Sequence, residues 1–285
     1  MAAWLTYVKE RFPIPVYLLL SGGVATTGLY AGGQDASWPA VVLSVGGLFV
    51  WLGLLRLMDE LKDYDKDVVA HPERPLPRGL LKLESVRTVI YATGVLQLGI
   101  AALCFALLGL PAAVLYVIVT TFLWLMFKEF FIGKQLSRVP ILYAVSHQIV
   151  LVPLVAFGAA AGRPDAWRDP VTWVAGACAL GSFFTYEIAR KLDPKAPRVL
   201  ETYLIWHGRA ATTVFLLCTT ALAGWAAYRL GLAILLWPLE GLVLATLPLL
   251  FFKPEKHKLI EGAATLSLLF HLWAIAARHL TGWPT

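Results

Sequence analysis

The stretch VVLSVGGLFVWLGLLRLMDELKDYDKDVVAHPERPLPRG, residues 41–79, joins a long apolar segment to a run that is dense in acids and bases. Its apolar part belongs to residues 38–58, which are long enough to cross a membrane, since a spanning helix needs about 20 apolar residues. Similar segments recur along the 285-residue chain, which is 59% hydrophobic and only 15% charged. About a quarter of the residues in a soluble domain are charged. The sequence therefore predicts an all-α, polytopic membrane protein.

Nine segments are predicted to span the membrane. They cover residues 14–32, 38–58, 86–109, 111–128, 139–161, 170–190, 208–229, 231–251 and 259–280. When the N-terminus is placed in the cytoplasm, nineteen Lys and Arg residues fall on cytoplasmic segments and four on the opposite side, while Arg56 ends the second span. This distribution follows the positive-inside rule. We therefore expect a multi-pass protein with a cytoplasmic N-terminus and a C-terminus on the opposite side.

Two of the cytoplasmic loops are long and rich in both signs of charge. They cover about residues 59–85, after the second span, and about 187–207, after the sixth. Each loop follows an even-numbered span, and four spans separate them. This spacing indicates two related four-helix halves with a ninth helix added, in a single integral membrane domain over residues 1–285.

The acids after the second span are candidates for a metal site. If the helix continues past the membrane boundary, Glu60, Asp63 and Asp67 share one face, and Asp59 lies one turn before Asp63. Mg²⁺ commonly takes one or two carboxylates together with substrate phosphates, and the bases mixed among these acids suit the phosphate oxygens. Asp65 points away from this face. A solvated helix with salt bridges between its turns is the alternative interpretation.

A second constellation follows the sixth span. Glu187 and Asp193 are its acids nearest the helix end, and Arg190 and Lys191 lie one turn beyond Glu187. Glu187 and Lys191 also have the spacing of an ordinary ion pair on one helix, so a structural role is an open alternative. The corresponding position of the two loops in the two halves favours a functional role.

The first constellation resembles a motif of the UbiA superfamily of intramembrane prenyltransferases. That motif reads Asn-Asp-x-x-Asp-x-x-x-Asp, with Arg-Pro-x-Pro-x-Gly a few residues later. Aligning on RPLPRG, residues 74–79, puts Asp67 and Asp63 at the last and middle Asp, Glu60 at the first Asp, and Asp59 at the Asn. Both departures keep oxygen ligands. The second motif departs further, because Glu187 and Asp193 are six residues apart where the family usually has Asp residues four apart.

The resemblance implies a UbiA-like bundle of nine helices, Mg²⁺ as cofactor and an allylic prenyl diphosphate as substrate. The catalytic residues implied are Asp63, Asp67, Glu187 and Asp193, and the implied metal ligands are these four together with Asp59 and Glu60. The bases implied in diphosphate binding are Arg56, Arg74, Lys128, Lys134, Arg138, Arg190 and Lys191. The lipid bilayer is the other expected partner, and no nucleic acid is expected.

What captures the allylic cation decides the product. An aromatic, quinone-precursor or lipid-like acceptor makes the protein a prenyltransferase. Attack on the cation by double bonds of the same prenyl group makes it a membrane terpene cyclase. Tyr143, His147, Gln148 and His207 are candidates for acceptor positioning or proton removal. An ion-coupled transporter is a more remote alternative. It would need ionisable groups deep in the spans, where Glu240 is the main acid.

Overall fold

The computed structural model describes residues 2–282, and it contains helices and no strands within that range. The α-helices are α1 (Ala2–Arg11), α2 (Ile14–Leu29), α3 (Trp38–Lys62), α4 (Tyr64–Ala70), α5 (Leu83–Leu108), α6 (Leu110–Phe127), α7 (Gly133–Leu136), α8 (Pro140–Gln148), α9 (Leu151–Gly162), α10 (Pro170–Ala189), α11 (Tyr203–Arg229), α12 (Ala233–Thr246), α13 (Leu249–Phe252) and α14 (His257–Thr281). The prediction of an all-α, polytopic membrane protein is confirmed.

Judged by length and composition, fewer segments of the described chain can span the membrane than the nine expected. Seven segments of the described chain are long and apolar enough to cross a membrane: α3, α5, α6, α8 with α9, α11, α12 with α13, and α14 with the turn before it. The pair α1 and α2, bent by 54°, is an eighth if it forms one span. The count of nine is therefore not confirmed.

Helix α10, which occupies the expected sixth span, is not among these apolar segments. It packs against α2, α9, α11 and α14, and it buries polar side chains such as Thr185 and Glu187. A helix surrounded by other helices does not have to match the lipid, so it can carry polar residues that lower its hydropathy.

The helices form a ring in which sequence neighbours pack side by side and α14 closes against α2. Inside this ring α2 crosses α9 at a very close distance. A Cβ atom on Gly28 would lie 2.2 Å from the carbonyl oxygen of Val155, and one on Gly158 would lie 2.7 Å from that of Ala25. Small residues allow such backbone contact between membrane helices, and glycine is required at both positions.

Helical structure is interrupted near the start of the first charged loop and just after the end of the second. Helix α3 ends at Lys62, and α4 starts at Tyr64 after a break at Asp63. The condition that one helix continues through Asp67 is therefore not met. Helix α11 also breaks, at Gly208, whose φ of +71° favours glycine. This break separates the first turn of α11 from the part predicted to span the membrane.

Candidate active site

The two charged loops meet in the folded chain. Helix α4 packs against the turn Arg198–Leu200, and the Lys66 ammonium lies 2.6 Å from the Glu201 carboxylate. The Glu187 carboxylate raises the pKa of Arg190 above its usual range, against the effect of burial, and Asp59 on α3 adds to this shift. Charged groups of the two halves therefore act on each other, as the pseudo-repeat predicts.

Asp59 and Asp63 are the partly buried carboxylates of the first loop that remain available. Both are partly buried and lie one helical turn apart. Neither side chain forms a hydrogen bond or an ion pair with another residue in the described range 2–282. Burial raises the pKa of the Asp63 carboxyl, Lys62 opposes this shift, and Asp67 adds to it. Two crowded, unpaired carboxylates are the arrangement that a cation stabilises.

Glu60 is instead a counter-ion of arginine. Its side chain is completely buried, and Oε1 accepts a hydrogen bond of 2.8 Å from Arg11 Nε and pairs with Arg56. The other oxygen, Oε2, has no protein partner within the described residues. Glu60 therefore ties α1 to α3, and Arg56 is already engaged in this contact.

Asp67, a buried acid of the first loop, forms an ion pair with the partly buried Arg74. Asp67 is 4% exposed, and its Oδ1 accepts a hydrogen bond from Arg74 Nη1. Because Arg74 opens the RPLPRG segment, this pair holds the proline-rich turn against α4. The pair accounts structurally for the acid and the arginine that the motif requires at this spacing.

Glu187 is the buried acid of the second loop, and two bases neutralise it. Its carboxylate lies 2.5 Å from Arg190 Nε and 2.6 Å from Lys191 Nζ. Asp193 is exposed and accepts a hydrogen bond of 2.8 Å from the backbone nitrogen of Lys195, which closes a turn. The structure thus brings Glu187 next to the first loop through Arg190, whereas Asp193 lies on the surface.

Glu201 is a residue of this region that the sequence analysis missed. It has a φ of +47°, in the left-handed region, and it pairs with Lys66 across the two loops. Its membership of the acid-rich second loop was the available signal. The fourteen-residue separation from Glu187 matches no motif, so spacing alone did not select it.

The bases expected on the loop after the fourth span are exposed. Lys134 and Arg138 form no ion pair with any residue between 2 and 282. Lys128 lies over the Phe127 ring and lines a cavity with Lys62 and Arg87, at the ends of α6, α3 and α5.

A polar aromatic cluster lies beside Lys62. Its ammonium is 5.2 Å from the centre of the Tyr143 ring and 3.4 Å from His147 Nε2, and the two rings stack at 4.3 Å. His147 Nδ1 donates to the Tyr143 carbonyl oxygen, 2.8 Å away, so Nδ1 carries a proton. Nε2 then presents its lone pair towards Lys62. The Tyr143 hydroxyl donates to Glu129, while His207 lies apart, against Phe215.

The carboxylates of the two loops differ in how well they fit a metal ion. Within residues 2–282, no group of three or more His, Cys, Asp or Glu side chains is arranged to hold a metal ion. Asp59 and Asp63 nevertheless supply the one or two carboxylates that Mg²⁺ uses when a substrate phosphate completes its shell. Glu60, Asp67 and Glu187 fit less well, because arginine or lysine already neutralises each of them.

Comparison with known proteins agrees with this architecture. The sequence model of the UbiA prenyltransferase family matches residues 18–277. No curated protein matches the chain. A solved structure of digeranylgeranylglyceryl phosphate synthase is 19% identical, with 99% of this chain and 100% of that chain covered and a TM-score of 0.69. The apo structure of a UbiA homolog from Aeropyrum pernix K1 is 18% identical, with 92% and 98% covered and a TM-score of 0.67. These two likenesses show a shared fold, and the match over most of the chain shows that this multi-pass membrane protein belongs to the UbiA prenyltransferase family.

Proposed function

We propose that this protein is a Mg²⁺-dependent prenyltransferase that cleaves the C–O bond of an allylic prenyl diphosphate and transfers the prenyl group to an acceptor. The observation that carries this proposal is the unpaired Asp59–Asp63 carboxylate pair, which lies within electrostatic reach of Arg190 and Lys191. Acids for a metal and bases for phosphate oxygens are thereby combined at the ends of α3 and α10.

Asp59 and Asp63 would hold the magnesium in this proposal. When bound, Mg²⁺ supplies positive charge to the leaving diphosphate. Glu60 and Glu187 have a different task from the one implied by the motif. They fix Arg56 and Arg190 in place, as their ion pairs support. Asp67 positions Arg74 in the same way, and Asp193 has no role in this scheme.

Arg190 and Lys191 are the strongest candidates for direct diphosphate contact. Their side chains remain 44% and 39% exposed although each pairs with Glu187. Each has further N–H groups beyond the one that faces Glu187, and charge-assisted hydrogen bonds to phosphate are among the strong ones. The leaving group would therefore be clamped between the Asp59–Asp63 pair and the end of α10.

The acceptor side of the reaction is assigned to Tyr143 and His147. Their stacked rings offer aromatic faces to an allylic cation, and the His147 Nε2 lone pair, which faces Lys62 in the structure, would take the acceptor's proton once Lys62 turns towards the diphosphate. The likeness to digeranylgeranylglyceryl phosphate synthase supports a lipid-like acceptor. An aromatic acceptor is the competing choice within the same mechanism.

The test is a product assay on the full-length protein in nanodiscs. Geranyl, farnesyl and geranylgeranyl diphosphate are incubated with Mg²⁺ or EDTA, and with or without 4-hydroxybenzoate or a prenyl glyceryl phosphate. The proposal predicts Mg²⁺-dependent release of diphosphate and a prenylated acceptor. Cyclic hydrocarbons formed without an acceptor would contradict transfer and indicate a cyclase. No release from any of the three substrates would contradict both reactions.

A further inference from the structure

A cavity of about 430 Å³ lies where α3 and α6 end and α5 begins. Three cationic side chains line it: Lys62, Arg87 and Lys128. Apolar and aromatic side chains, among them Ile90 and Phe127, complete its walls. The size falls in the range of small-molecule sites, which runs from about 300 to 1,000 Å³.

The three cations around this cavity form no ion pair within the described residues. None of its lining residues is acidic, and none of its three cations pairs with a carboxylate elsewhere in the described part of the chain. Seven bases elsewhere at the loop ends are neutralised by acids. They are Arg11, Arg56, Lys66, Arg74, Arg78, Arg190 and Lys191. Lys62 acts on Asp59 and Asp63 without an ion pair to either, whereas Arg87 and Lys128 have no acid against them. This excess of positive charge around one cavity favours an anionic ligand.

The position of the cavity indicates that its ligand also carries an apolar chain. It lies at the same end of three apolar helices, at the boundary that the charge distribution assigns to the cytoplasmic side. Tyr91 lines it and is 65% exposed, and Val95 and Leu98 continue along α5 with similar exposure. An anionic head group on the cations would thus have an exposed apolar surface for its chain. Basic pockets between membrane helices at this depth bind lipid head groups.

We propose that this cavity binds the phosphate head group of an amphiphile, whose chain lies along the exposed face of α5. The ligand is either a membrane phospholipid or a phosphate-bearing acceptor, since both present the same chemistry. This binding does not depend on prenyl transfer, so it is tested without any measurement of activity.

The test is native mass spectrometry of the full-length protein in detergent, titrated with phosphatidylglycerol or phosphatidylcholine. The double variant Arg87→Gln/Lys128→Gln removes two cavity cations, and because both are exposed we expect the fold to be retained. Lys253→Gln/Lys256→Gln is the matched control, because it removes two exposed cations that do not line the cavity. We expect the cavity variant to bind phosphatidylglycerol about 30-fold more weakly, and the control to bind it like the wild type.

Three results would overturn the proposal. They are wild-type binding by the cavity variant, an equal loss in the control, and equal affinity of the wild type for phosphatidylcholine. Inorganic phosphate provides a further arm, since displacement of the lipid at equal concentration would mean that the site takes a free anion. Competition by a prenyl glyceryl phosphate would identify the ligand as an acceptor, and its failure to compete would identify a membrane lipid. Both of these outcomes support an amphiphile.

Discussion

Lys66 and Glu201 form an ion pair of 2.6 Å that joins the loop after the second predicted span to the loop after the sixth. Both side chains are about half exposed, at 48% and 46%. An exposed pair contributes about 0–1 kcal/mol to stability. Its importance lies in geometry, because it fixes α4, with Asp63 and Asp67 at its start, against the loop that follows Arg190 and Lys191.

Reversal of this pair should therefore affect catalysis more than stability. Lys66→Glu or Glu201→Lys alone is expected to slow diphosphate release several-fold with a melting temperature close to that of the wild type. The combined swap Lys66→Glu/Glu201→Lys should restore most of the rate, since the attraction returns with opposite polarity. Steady-state release of diphosphate measures this coupling. A double variant as slow as the product of the two single effects would argue against it.

Glu60 and Asp59 are neighbours, but their substitution is expected to affect stability differently. Glu60→Gln leaves Arg11 and Arg56 without their buried counter-ion, and loss of one member of a buried ion pair typically costs about 3–5 kcal/mol. Asp59→Asn removes a carboxylate that has no partner within residues 2–282, so stability should stay the same or rise. Thermal denaturation in one detergent compares the two variants. Equal losses of stability would contradict the distinct roles assigned here.

The sequence predicted the membrane class, and it pointed to the two loops that meet in the candidate site, for physical reasons. Long apolar segments have few alternatives to membrane helices, and the density of charge around Asp63 marks the loop that we propose carries the chemistry. The sequence did not show which acids are paired with bases in the folded protein. Glu60 meets Arg11 from 49 residues away, and Glu201 meets Lys66 from 135 residues away. Residue spacing along a single helix predicts neither of these contacts. It also missed the break at Asp63, because acids favour both helix ends and exposed helix surfaces.

Glu240 and His271 form a buried pair between α12 and α14, with 2.8 Å between Oε1 and Nε2. His271 Nδ1 also donates to the Ser267 carbonyl oxygen. The pair is satisfied within the protein, so the acid that a transporter would need is engaged in helix packing. Glu240→Leu or His271→Leu alone should each lower stability by about 3 kcal/mol. The double variant should be less destabilised than the sum of the two. Thermal unfolding of the four proteins tests this, and strictly additive losses would contradict a coupled pair.

His147 should separate the two halves of the proposed reaction. His147→Gln removes the imidazole lone pair near Lys62, so proton removal from the acceptor should slow by about 100-fold, within the usual range for a general base. Ionisation of the diphosphate does not use this group and should be affected much less. The ratio of prenylated product to released diphosphate is the readout. A parallel fall in both would place His147 in the ionisation step or in the fold.

The most direct test of the central claim is Mg²⁺-dependent diphosphate release by Asp63→Asn, with Asp65→Asn as its control. Both variants remove one charge from the same loop, but Asp63 is partly buried beside Asp59, whereas Asp65 is exposed. The account predicts that Asp63→Asn loses release at every Mg²⁺ concentration that saturates the wild type, while Asp65→Asn keeps the wild-type Mg²⁺ dependence. Full release by Asp63→Asn with an unchanged Mg²⁺ requirement would contradict it.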